Sequence, residues 1–96
     1  MQMEKELGIG LDVQEKGSSA KTGEGIPFRY EITNKHIILT VDGEMANQNV
    51  NITIDEDYLL TAHVSKEGTI KIKKKNKIGK IIANALNAGE NLRVLL

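Results

Sequence analysis

The chain has 96 residues, 40% of them hydrophobic and 27% charged, and its 13 basic and 13 acidic side chains cancel to a formal charge of zero. That length fits a single domain over residues 1–96 with one thin core and little room for a deep internal pocket, so a site on the surface or at an interface is expected. Cysteine is absent, which excludes disulfides, thiolate nucleophiles and cysteine-ligated zinc.

The opening MQMEKELGIG lacks a basic region followed by an apolar run, and no stretch nears the roughly 18 apolar residues of a membrane span. A cytoplasmic chain without membrane contact is the expectation. Leu7, Ile9, Leu11 and Val13 alternate with polar or glycine positions, which predicts a half-buried strand. Residues 15–27, EKGSSAKTGEGIP, carry no apolar repeat and are expected to form a flexible loop. GSSAKTGEG within it does not have the spacing of a nucleotide-binding loop, because Ala20 precedes Lys21-Thr22 and Glu15 stands where the first glycine belongs.

Phe28, Tyr30 and Ile32 alternate next, followed by Ile37, Leu39 and Val41, which predicts a hairpin with Asn34-Lys35 at its tip. The aromatic pair on one strand face is read as core in preference to a base-stacking platform. Val50, Ile52 and Ile54 form another strand, and Asp55, Glu56 and Asp57 a solvated polar turn in preference to a calcium site. After it Tyr58, Leu60, Ala62 and Val64 are expected to face one way, and Leu59, Thr61 and His63 the other. Gly68 suits the turn that leads to Ile70 and Ile72, with Lys71 and Lys73 pointing outward.

The period then changes. Ile78, Ile81, Ile82, Ala85 and Leu86 form one stripe of a helix over residues 77–88, with Asn76 as N-cap and Gly89 as its stop, before a last strand through Leu92, Val94 and Leu96. The fold class is α+β, mainly β: an antiparallel sheet or small open barrel of about six strands with one C-terminal amphipathic helix. Residues 64–96 also resemble the strand, helix, strand order of the swapped-hairpin DNA-binding domains of the AbrB type, through EGTIKI and LNAGENLRV. Lys73 stands where that family has proline, and the spacing from Ile72 to Leu86 is longer, so no functional residue is carried over.

Zero net charge conceals an asymmetry. Seven lysines face the single acid Glu67 between residues 66 and 80, a local charge of +6 that the rest of the chain balances. Lys71, Lys73, Lys74, Lys75, Lys77 and Lys80 gather at a strand-helix junction. Cations at a helix N-terminus oppose its dipole by about 0.3–1 kcal/mol each, whereas an anionic ligand there would be stabilised. Two expectations follow. The first is a non-catalytic domain that binds nucleic acid or another polyanion through these six lysines. The second is an interaction module that self-associates through sheet edges, its lysines meeting acids such as Asp55, Glu56 and Asp57 of a neighbour, or those of an acidic protein. The first is preferred, as a homo-oligomer. No cofactor and no metal are called for, and neither His36 nor His63 has a nucleophile spaced to use it, so no enzymatic activity is expected.

Overall fold

The computed structural model describes residues 13–19 and 24–96. In chain order these form β1 (Glu15–Ser18), β2 (Phe28–Ile32), β3 (His36–Val41), a 3-10 turn (Gly43–Met45), β4 (Asn49–Ile54), β5 (Asp57–His63), β6 (Thr69–Lys73), α1 (Lys77–Ala88) and β7 (Leu92–Leu95). The strands make two antiparallel sheets, ordered β1-β2-β3-β6 and β5-β4-β7, that do not close into one barrel. The mainly β fold with a helix near the C-terminus is as expected. The strand foreseen through Leu7 lies mostly outside the described residues.

The core is assembled from the inward positions of both sheets and one side of α1. Tyr30, Ile37 and Leu39 come from the first sheet, Val50, Ile52, Leu92 and Val94 from the second, and Ile82 and Leu86 from the helix. Phe28 and Tyr30, only 3% and 1% exposed, are core residues and offer no stacking surface.

Residues 15–27 are not a loop throughout: β1 pairs antiparallel with β2, Gly17 standing opposite Tyr30 and Lys16 opposite Glu31. The strand shows no apolar repeat because its inward positions are already filled from across the sheet. A Cβ at Gly17 would lie 2.6 Å from the Tyr30 hydroxyl. The tyrosine ring thus occupies the space that a β1 side chain would need. Residues 20–23 lie outside the described set.

The turns follow local chemistry. At the β2–β3 tip the Thr33 hydroxyl accepts from the backbone N–H of Lys35 at 3.2 Å and of His36 at 2.9 Å, tying off the loop without a glycine. Between β4 and β5, Asp55 and Glu56 both adopt positive φ, 51° and 74°, which matches the twist of the strands they join. Tyr58 does not lie inward with Leu60. The β4–β5 register shifts between Ile52 and Thr53, so Leu60 pairs with Ile52 but Tyr58 with Thr53. The bulge at Leu59 resets the alternation and leaves Tyr58 62% exposed.

Helix α1 spans the residues that its periodicity predicts. Its end is closed by Gly89 at φ 70°, and Glu90 N–H donates to Ala85 O at 2.9 Å. Its start is held against β6 by Gly79, where a Cβ would lie 2.1 Å from the Lys73 carbonyl oxygen. Only a glycine permits that approach of helix to strand end. Among the described residues no helix is long and apolar enough to cross a membrane.

Candidate functional site

Strand alternation sends every second side chain of the first sheet away from the core. The outward positions are Lys16 and Ser18 on β1, Arg29 and Glu31 on β2, His36, Ile38 and Thr40 on β3, and Thr69, Lys71 and Lys73 on β6. Glu31 is the one carboxylate in that set. Lys71 stands opposite Ile38, and Lys73 opposite His36. The face is therefore cationic, and its charge is concentrated along the edge strand β6.

The lysine run continues from this edge into α1. Lys75, Lys77 and Lys80 are exposed around the first turn of the helix. That turn carries no acidic residue, and the Asn76 side chain makes no capping hydrogen bond. Among the described residues, Lys71, Lys73, Lys75, Lys77 and Lys80 form no ion pair. Lys74 differs. It is half-buried, and its Nζ donates to Gln14 Oε1 at 2.7 Å and to the Thr33 carbonyl at 3.2 Å. Its ammonium fastens the helix approach to the β2–β3 tip, so among the described residues five of the six lysines singled out in the sequence form no ion pair and one serves the fold.

Folding adds residues that the linear run did not contain. The antiparallel pairing of β3 with β6 carries the β2–β3 tip alongside the end of β6, where Lys74 N–H donates to Lys35 O at 2.8 Å. Asn34, Lys35, His36, Lys73 and Lys75 there line a hollow of about 380 Å³. The signal for Lys35 and His36 lay in the register, since a hairpin tip and a lysine-bearing strand end converge once β3 pairs with β6.

The outer face of the second sheet is built differently. Thr61 Oγ1 donates to Asn51 Oδ1 at 2.8 Å, and the Tyr58 hydroxyl lies 2.9 Å from Thr61 Oγ1. His63 Nδ1 meets Asn49 Oδ1 at 3.0 Å, and Arg93 reaches Glu56 at 3.7 Å. These side chains satisfy one another across the strands. Among the described residues no group of three or more potential ligands is placed to hold a metal ion.

No family model and no solved structure matches the chain. It is similar to an uncharacterized KH and PIN-domain containing protein of Methanocaldococcus jannaschii, 33% identical over 104 aligned residues. The alignment covers 96% of this chain and 16% of that protein, so the chain spans about a sixth of the relative's length.

Proposed function

We propose that this chain is a non-catalytic nucleic-acid-binding domain that takes the phosphate backbone on the lysine-bearing edge of its first sheet. The observation that supports it most is the set of exposed lysines, Lys71, Lys73, Lys75, Lys77 and Lys80, without an ion pair among the described residues, running from β6 into the first turn of α1. Like charges gathered at the positive end of a helix oppose folding, and a polyanion offsets that cost. The relative's KH designation points to the same ligand class, because KH modules bind single-stranded nucleic acid.

The manner of binding differs from that of a KH module, which clamps the backbone with a G-x-x-G loop. No two glycines of this chain stand three residues apart, so contact with phosphate falls to the lysines. Binding of this kind carries little sequence preference and a strong salt dependence, with log K falling by about 0.7 per phosphate contact on single strands for each decade of salt.

Sedimentation of the purified chain with fluorescent random RNA and DNA at roughly physiological salt is the test. Co-sedimentation is expected for the native chain, with a loss of about 100-fold in affinity for Lys73→Glu/Lys75→Glu while its circular dichroism is unchanged. A defined oligomer that ignores both nucleic acids would overturn the proposal and favour self-association through charged patches.

A further inference from the structure

The hollow at the β2–β3 tip is a different kind of site from the open sheet face beside it. Lys35, Lys73 and Lys75 enter it from three places in the chain: the hairpin tip, the end of β6 and the turn before α1. Asn34 and His36 complete the lining, which contains no carboxylate.

The backbone around it is braced. His36 pairs with Lys73 in the sheet, Lys74 N–H donates to Lys35 O at 2.8 Å, and Lys74 Nζ donates to Thr33 O at 3.2 Å. Asn34 Oδ1 accepts from Gln14 Nε2, which leaves its amide N–H groups as donors. The three lysine side chains are exposed and form no ion pair among the described residues.

Three lysines lining one hollow without a carboxylate concentrate more positive charge than an internal phosphodiester asks for. A diester carries one charge, and successive diesters are spaced along a strand, which suits the extended row of lysines on β6. A terminal phosphate monoester carries a charge of about −1.5 to −2 at pH 7 and three acceptor oxygens on one centre. A hollow of about 380 Å³ is within the range that holds such a group with its attached sugar.

We propose that this pocket holds the terminal phosphate of a nucleic-acid strand, Lys35, Lys73 and Lys75 neutralising it and Asn34 and His36 donating to its oxygens, while the lysines along β6 and α1 take the phosphodiesters that follow. The assignment rests on the nucleic-acid reading above and specifies which end of the surface meets the end of the strand.

The test titrates the whole chain against fluorescent RNA and DNA strands of about 12 nucleotides, each with a phosphate or a hydroxyl at the 5′ or the 3′ end and the dye at the other. The expected result is about tenfold tighter binding when one end is phosphorylated. Lys35→Ala should erase that preference, weakening the phosphate-ended strand about tenfold more than the hydroxyl-ended one. Its melting temperature, expected to match the native chain's, confirms that the fold is intact. Equal affinity for all ends, with binding retained, would overturn the pocket and leave the sheet-face proposal standing. No binding to any strand would overturn both. Displacement of the phosphorylated strand by inorganic phosphate or a nucleoside monophosphate with equal affinity would overturn the strand-end assignment in favour of a small-anion site.

Discussion

The two sheets present outer faces made by the same strand alternation and filled on opposite terms. On β5-β4-β7, asparagine, threonine, tyrosine and histidine side chains bond to one another, and Arg93 is placed against Glu56. On β1-β2-β3-β6, Lys71 and Lys73 have no ion-pair partner among the described residues, and Lys75, Lys77 and Lys80 extend the same charge onto α1. A face whose polar groups are mutually satisfied asks nothing of a ligand. A face that holds like charges at the positive end of a helix carries a cost that a bound anion would offset. The difference between them, more than the number of lysines, is what supports the proposal that the site lies on the first sheet.

The change that would break this contrast most completely is Gly79→Ala. The added methyl meets the Lys73 carbonyl oxygen at 2.1 Å, a backbone atom that cannot rotate away. Either the helix start lifts from β6 or the strand end shifts, at a cost of about 3 kcal/mol. Thermal unfolding should show the loss as a fall of about 15 °C, given the size of the domain. In whatever folded protein remains, nucleic-acid affinity should fall as well, because β6 and α1 no longer present their lysines as one surface. Unchanged stability would mean that the helix start does not sit against the strand in solution.

Charge placed on each face in turn sharpens the comparison at smaller cost. Lys71→Glu should weaken binding about tenfold and flatten the salt dependence by roughly 0.7 in the slope of log K against log salt. Thr61→Glu puts the same charge on the second sheet, and should leave affinity within about twofold while losing about 1 kcal/mol from the broken bonds to Asn51 and Tyr58. Equal effects of the two substitutions on binding would show that net charge governs it and that the first sheet is not special.

Much of this layout is legible in the sequence, since apolar alternation and a change of period mark β2 to β4, β6 and β7 and the full extent of α1. What escapes it depends on contacts between distant residues. Glycine 17 gives no strand signal because the Tyr30 ring takes its side-chain space. Tyr58 is misplaced because an extra residue in β5 shifts the faces by one, and the letters around Leu59 carry no sign of a bulge. The lysine run is visible as a run. That Lys74 is bound into the fold while Lys35 and His36 join the site becomes apparent only when β3 pairs with β6.

One atom departs from the order of the second sheet. Thr53, 7% exposed and flanked in register by Tyr58 and Arg93, keeps its Oγ1 buried without a hydrogen-bond partner among the described residues. Leaving a hydroxyl buried and unmade costs about 1 kcal/mol or more, whereas valine keeps the branched shape and suits the strand as well. Thr53→Val should therefore stabilise the chain by about 1 kcal/mol, a rise of roughly 5 °C in Tm, with nucleic-acid affinity unchanged. A fall in Tm would show that the hydroxyl is satisfied in solution. A stabilised variant that binds nucleic acid less well would show that Thr53 is held unsatisfied for a ligand, and the division of roles between the two faces would fail at that residue.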